Sequence, residues 1–63
     1  MKPVVQIDKN DIFIKLFDSA KIAQQETNID AGHITACCKK NRKSAGGYKW
    51  AYAEEYYKTQ QND

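Results

Sequence analysis

Hydrophobic and polar residues alternate near the start of the chain, and the period of the pattern changes after residue 18. Residues 4–8 are rich in β-branched side chains and predict a strand. Residues 8–11 supply turn-forming side chains, and residues 12–17 predict the return strand of a hairpin over 4–17. The period of two gives this strand two faces, one with Ile12, Ile14 and Leu16 and the other with Phe13, Lys15 and Phe17. Because a lone hairpin is marginal in water, helices or a third strand should cover its apolar face.

Residues 19–41 predict two short helices joined by a tight turn. Ser19 can cap the first helix, because its hydroxyl can accept from free amides of the first turn. Residues 20–26 are mostly good helix formers, and Asn28 tolerates the left-handed backbone that ends many helices. Asp30 is a second N-cap, at the start of a helix over 31–40. Helix, short polar turn and helix is the helix-turn-helix arrangement.

The second helix has two unlike faces at about 100° per residue. Small and mostly apolar side chains form the face expected to pack inward, namely Ile34, Cys37 and Cys38 with Asn41. The opposite face is polar with small members, namely Gly32, Thr35, Ala36 and Lys39, flanked by His33 and Lys40. A basic surface that comes close to its partner suits a DNA groove. An ordinary helical hairpin with a solvated outer face explains the same residues.

An aromatic segment follows the helices. Residues 45–47 predict a flexible turn or a backbone that passes very close to another group. Residues 48–52 predict a short strand with Tyr48, Trp50 and Tyr52 on one side, and Trp50 is expected in the core. From residue 53 the pattern is lost; a helical turn can start there, and 59–63 is expected to be a frayed tail. The sequence therefore predicts one small α+β domain over residues 1–58.

Length and charge narrow the class of protein. A chain of 63 residues makes one domain with a thin core and modest stability. Without a long apolar run or a signal peptide, an intracellular, cytoplasmic protein is expected. The net charge is only +2, but residues 31–53 hold five cations and no acid: Lys39, Lys40, Arg42, Lys43 and Lys49. Such a patch attracts phosphates and makes binding dependent on salt.

The cysteines indicate neither a disulfide nor a metal site. Cys37 and Cys38 are adjacent, so a disulfide between them would be badly strained. Together with His33, the only histidine, they cannot complete a four-ligand zinc site, and no cofactor is expected. His33 and Cys37 lie one helical turn apart, as a base and a nucleophile could. Because Cys37 is expected inward and no orienting acid is evident, the chain is not expected to be an enzyme on its own.

A distinctive ending follows the helix-turn-helix pattern. Residues 43–48 read Lys-Ser-Ala-Gly-Gly-Tyr, and Trp50 and Tyr52 follow. Joined to Ser19, Asn28 and the second helix, this run resembles the nuclease-associated modular DNA-binding domain. That module accompanies HNH-type homing endonucleases of phages and bacteria. The family prefers Gly where Asn28 stands and also near Lys40, where Asn41 is expected to take the left-handed position instead.

The resemblance implies binding to double-stranded DNA while a linked or associated nuclease domain cuts. The second helix becomes the recognition helix, on which Thr35 can contact base edges while Gly32 and Ala36 allow close approach. The expected DNA-binding residues are Gly32, His33, Thr35, Ala36, Lys39, Lys40, Arg42, Lys43, Ser44 and Lys49. Phosphate contacts are expected from Lys40, Arg42, Lys43, Lys49 and Ser44 and from the amides of Gly46 and Gly47, whereas His33 and Lys39 are expected to face the major groove.

Two further expectations concern partners. HNH nucleases need several histidines or their equivalents and a metal, so a chain with one histidine is expected to be a non-catalytic module. The module is also expected to be a monomer. The alternative function is a protein-interaction module that uses the Tyr/Trp-rich C-terminal segment. Its contact surface would be formed by Tyr48, Tyr52, Tyr56 and Tyr57, because tyrosines favour interfaces.

Overall fold

One three-stranded antiparallel sheet and three helices make up the fold, which a computed structural model describes for residues 2–60. In chain order the elements are β1 (Val4–Ile7), β2 (Phe13–Phe17), α1 (Ala20–Thr27), α2 (Ala31–Cys38), β3 (Lys49–Tyr52) and α3 (Ala53–Gln60). The expected α+β class is confirmed. The third strand pairs with β1 as Val4 to Tyr52 and Ile7 to Lys49, so β1 is central and the strand order is β2-β1-β3.

Strand β1 is buried on both faces of the sheet, as its nearly continuous apolar sequence favours. On one face Val4 packs with Phe17, Trp50 and residues of α1 and α2. On the other face Val5 and Ile7 pack with Ala53 at the start of α3. The sheet therefore lies between the helix pair α1–α2 and the single helix α3.

The expected faces of β2 are partly wrong, because the strand contains a β-bulge. Gln6 pairs with Lys15 but Ile7 pairs with Phe13, so Ile14 is an extra residue on the β2 side. The bulge brings Phe13 to the α3 side, with its ring centroid 5.9 Å from that of Tyr56. Phe17 stays on the other side, 6.0 Å from the Trp50 ring. The apolar side chains of Ile12, Ile14 and Leu16, which were expected to be covered, are instead exposed.

The caps expected for the helix pair are confirmed. The Ser19 hydroxyl accepts from the Ile22 amide at 3.1 Å, and an Asp30 carboxylate oxygen accepts from the His33 amide at 3.1 Å. Asn28 is left-handed, with φ 64°, and its amide donates to the Gln24 carbonyl at 2.8 Å. The two helices are thus joined by a short segment in which side chains satisfy the free backbone amides.

Helix α2 ends at Cys38, two residues earlier than expected. Lys40 adopts φ 67°, its amide donates to the Cys37 carbonyl at 3.0 Å, and the Asn41 amide donates to the Ala36 carbonyl at 2.8 Å. This pair of hydrogen bonds is the Schellman motif, with Lys40 at the left-handed position. The expectation that Asn41 would take this position is therefore wrong.

The turn before β3 shows the close backbone approach that its glycines indicated. Gly46 and Gly47 have φ of 62° and 84°, between Ala45 and Tyr48, whose backbones exchange hydrogen bonds of 2.9 and 3.1 Å. A Cβ at Gly46 would overlap the Ile29 side chain. Trp50 is in the core as expected, with 4% exposure, and its indole N–H donates to the Ala45 carbonyl at 3.0 Å.

Helix α3 has eight residues, whereas the sequence pattern predicted only a helical turn. Ala53 is buried, and its amide donates to the Pro3 carbonyl at 2.9 Å, which ties the start of α3 to the strand region. The helix includes residues 59 and 60, which were expected to belong to the tail; residues 61–63 lie outside the described part of the chain. None of the helices described is long and apolar enough to cross a membrane.

Candidate nucleic-acid interface

The outer face of α2 is open, and its inner face is buried. Ile34, Cys37 and Cys38 lie in the core as expected. Gly32, His33 and Lys39 are exposed, and Thr35 and Ala36 are partly exposed. Asn41 was expected inward with the core residues but is exposed, because the helix has already ended before it. Five of the expected DNA-binding residues are therefore accessible along α2 and at its C-cap.

The start of α2 is fixed by side chains from outside the helix. Asp30 caps it, and the Gln24 side-chain oxygen accepts from the Ala31 amide at 2.6 Å. A Cβ at Gly32 would lie 2.9 Å from the capping Asp30 oxygen, so the glycine leaves room for that carboxylate. Gly32 thus contributes to the cap, a role that the helical wheel alone does not indicate.

Four of the expected phosphate-contacting residues line one cleft between the segment after α2, strand β3 and helix α3. They are Lys40, Arg42, Lys43 and Lys49, and the cleft has a volume of about 820 Å³. Apolar and thiol side chains also line it: Ile7, Cys37, Cys38 and Trp50. The fold therefore gathers cations that are separated by up to nine positions in sequence.

Carboxylates also line this cleft, which the charge count along the sequence missed. Asp11 lies 2.8 Å from the Lys49 Nζ, and Glu55 is a further lining residue. Both come from distant segments, the hairpin turn and α3, so only the fold reveals them. Across residues 2–60, no carboxylate lies within ion-pair distance of Lys40, Arg42 or Lys43. Arg42 donates through Nε to the Ser44 carbonyl at 2.9 Å, which holds its guanidinium beside the loop.

The two thiols are buried and protonated at neutral pH. Burial, and to a smaller extent the neighbouring Cys37, raises the pKa of Cys38 to about 11. Burial also raises the pKa of Cys37, although the positive charge of Arg42 acts in the opposite direction. A thiol of raised pKa is a poor nucleophile and a poor metal ligand. Within the described ranges, no three His, Cys, Asp or Glu side chains are grouped so that they could hold a metal.

Thr35 does not line the cationic cleft but a separate, shallow groove. Two lysines that the sequence did not single out, Lys2 and Lys21, line this groove together with Tyr52. The Lys2 Nζ lies 4.5 Å from the centroid of the Tyr52 ring. The position of Lys21 near the start of the predicted helix pair could have indicated that it belongs to the site. Lys2 had no such signal, because its place depends on the pairing of β1 with β3.

The remaining expected site residues line neither the cleft nor the groove. They are Gly32, His33, Ala36, Lys39 and Ser44. Of these, Gly32, His33, Lys39 and Ser44 are exposed and Ala36 is partly exposed. The expected interface therefore consists of three parts: the outer face of α2, the cationic cleft and the groove at Thr35.

Two proteins of Acanthamoeba polyphaga mimivirus, each described as an uncharacterized HNH endonuclease, are similar to this chain. One is 34% identical over 61 residues, which cover 97% of this chain and 18% of that protein. The other is 43% identical over 42 residues, which cover 67% of this chain and 11% of that protein. No family model matches the chain, and no solved structure matches it. The chain thus spans less than a fifth of either relative, and weak homology links it to proteins named as HNH endonucleases.

Proposed function

We propose that this chain is a module that binds double-stranded DNA beside an HNH-type nuclease domain, to which it is linked or with which it associates. The observation that carries the proposal is the cleft lined by Lys40, Arg42, Lys43 and Lys49 beside the open face of α2. The similarity to proteins named as HNH endonucleases supports the association with a nuclease.

In this proposal α2 is the recognition helix of a helix-turn-helix and enters the major groove. A helix with its side chains is about 10–12 Å wide and the groove about 12 Å wide, so the sizes match. Thr35 contacts base edges through its hydroxyl or its methyl group, and His33 and Lys39 supply further donors. Gly32 and Ala36 have small side chains, so the helix backbone can approach the bases closely.

The cations after α2 contact phosphates. Arg42 uses Nε for the Ser44 carbonyl, which leaves its terminal amino groups for a bidentate contact with phosphate oxygens. Lys40 and Lys43 act as point charges, and Lys49 contributes less because Asp11 offsets its charge. Phosphate contacts position a protein without carrying sequence information, so one such module should bind with loose specificity. Tight targeting would come from the attached nuclease through effective concentration.

The catalytic step belongs, in this proposal, to another part of the nuclease. The chain has a single histidine, His33, and that side chain is exposed while Cys37 is buried. The chain would act as a monomer on DNA inside the cytoplasm of a host cell. The two relatives are viral proteins that extend far beyond the matched region, which leaves room for a separate catalytic domain.

A protein-interaction module is the second candidate, and one observation favours it. Large apolar side chains of the β2 region are exposed, with Ile12 at 60% and Phe13, Ile14 and Leu16 each at 42%. The aromatic surface expected from the sequence is divided, because Tyr48 and Tyr52 pack on the helix-pair core whereas Tyr56 contacts Phe13 on the α3 side. Protein contact would therefore use the β2 region rather than the Tyr/Trp-rich segment.

An NMR titration with a mixed-sequence duplex distinguishes the two candidates. DNA binding predicts shifts of backbone amides at residues 31–49, concentrated on the outer face of α2 and the segment after it. The amides of 14–16 serve as the internal control, because they lie on the opposite edge strand. Titration to millimolar duplex without shifts at 31–49 would contradict DNA binding.

A further inference from the structure

The groove at Thr35 is positively charged and free of acids. Lys2 and Lys21 line it with Ser19, Ala20, Val4 and Tyr52, and its lining within the described part of the chain includes no carboxylate. Both lysines are exposed, and Lys2 is held over the Tyr52 ring at 4.5 Å. The ring attracts the ammonium group and restricts its position. The groove thus presents two cations without the offsetting carboxylates that the cleft contains.

The groove lies at one end of the paired strands β1 and β3, and the cleft extends from the other end as far as Ala51. Val4 and Tyr52 are paired at the groove end, and Ile7 and Lys49 are paired at the cleft end. Three residues of strand separate these pairs by about 10 Å, at about 3.3 Å per residue. The strand positions that end at the groove and at Lys49 are therefore separated by a distance similar to the major groove width of about 12 Å.

Helix α2 reaches both clusters. Thr35 lines the groove, while Cys37 and Cys38, one turn or less further on, line the cleft that also contains Lys40. A duplex that received the outer face of α2 would have one phosphate backbone near the groove and the other near the cleft. Long, exposed lysine side chains can extend to phosphates on either side.

We infer that Lys2 and Lys21 form a second phosphate-binding cluster, which contacts the DNA strand across the major groove from the strand held by Arg42 and Lys43. This inference rests on the proposed function. It assigns binding residues to the segment before β1 and to α1, in a part of the sequence whose net charge is negative. The module then holds both strands of one duplex rather than a single backbone.

Fluorescence anisotropy with a duplex of about 20 base pairs, at several salt concentrations, tests the inference. Each neutralised phosphate contact contributes a slope of about −0.9 to the dependence of log affinity on log salt. The variant Lys2→Ala/Lys21→Ala should therefore lower the magnitude of the slope by up to about 1.8. The charge-matched control Lys9→Ala/Lys58→Ala changes exposed lysines that line neither the groove nor the cleft, and should keep a slope close to that of the unchanged chain.

Phosphate-ethylation interference then assigns the strands. Interference on both strands is expected for the unchanged chain, with loss on one strand for Lys2→Ala/Lys21→Ala and on the other for Arg42→Ala/Lys43→Ala. Lys2→Arg/Lys21→Arg keeps both positive charges and should therefore keep the slope of the unchanged chain. A purely structural role for Lys2 at Tyr52 would not require this result. Thermal melts verify that each variant is folded.

Three outcomes decide the matter. A lowered slope with loss on one strand supports the inference. If Arg42→Ala/Lys43→Ala weakens binding while Lys2→Ala/Lys21→Ala behaves like the control, the second cluster is rejected and the proposed function stands. If the unchanged chain does not bind the duplex, both are rejected.

Discussion

Gly46 lies against the side chain of Ile29, so closely that a Cβ on the glycine would overlap it. This contact joins the turn before β3 to the connection between α1 and α2. Since Lys40 caps α2 at the other end, the cationic segment between them is held by the fold at both of its ends. The position of these cations relative to α2 is therefore a property of the packed structure.

The contact predicts a large cost for Gly46→Ala. The left-handed backbone costs about 1–2 kcal/mol for a residue with a Cβ, and overpacking against Ile29 adds about 1–3 kcal/mol. Gly47→Ala is the matched control, because Gly47 has φ 84° but no atom near its Cβ position. Urea denaturation should show the greater loss of unfolding free energy for Gly46→Ala. Equal losses would mean that Ile29 moves aside without cost.

Lys40→Gly should separate stability from binding. Lys40 has φ 67°, which glycine adopts without strain, so the free energy of unfolding should rise by about 1 kcal/mol. The same change removes a cation from the cleft and should weaken duplex binding. Denaturation and anisotropy measured on one sample test both effects. A less stable variant would contradict the role of residue 40 in the cap, and unchanged affinity would exclude it from the interface.

Trp50 should be essential to the fold as well as near the proposed interface. Trp50→Ala removes a buried ring that packs on Phe17 and should cost about 3–5 kcal/mol of unfolding free energy. Trp50→Phe keeps much of the ring but removes the indole donor to the Ala45 carbonyl, which still accepts from the Tyr48 amide, and the lost hydrogen bond should cost about 0.5–1.5 kcal/mol. Tyr57→Ala, at an exposed position, is the control. A thermal melt of Trp50→Ala like that of the unchanged chain would refute the core assignment.

The buried thiols predict a loss of stability at alkaline pH. Burial raises the pKa of Cys38 to about 11 in the folded chain, so thiols of the unfolded chain release their protons first as pH rises. Unfolding then releases protons, and the free energy of unfolding falls from about pH 8.5 towards pH 11. Cys38→Ala should flatten this part of the curve. Parallel curves for the two proteins would show that Cys38 ionises as readily in the folded state as in the unfolded one.

Local signals in the sequence predicted several features of the fold. Ser19, Asn28 and Asp30 act through hydrogen bonds to near neighbours, so the caps of the helix pair could be predicted from the sequence. The buried face of α2 followed from helical periodicity because the helix lies directly on the sheet. Trp50 was predictable as a core residue because a chain of this length has little else large enough to fill its core.

Features that depend on tertiary packing could not be predicted. The bulge at Ile14 changes the side of the sheet on which Phe13 lies. Helix α3 packs on the sheet through Ala53 and the partly buried Tyr56, which is too few residues to give a helical pattern in the sequence. The acids beside the cleft, Asp11 and Glu55, come from distant segments, so counting charge along the sequence overestimates its positive charge. Lys2 reaches the groove only because β1 pairs with β3.

The salt dependence of duplex binding tests the central claim most directly. The slope of log affinity against log salt should fall in magnitude by up to about 1.8 when Arg42→Ala and Lys43→Ala are combined, because two phosphate contacts are lost. The exposed pair Lys9→Ala/Lys58→Ala should leave the slope near its original value. An identical slope for the unchanged chain and Arg42→Ala/Lys43→Ala would contradict the placement of DNA along α2 and the segment that follows it.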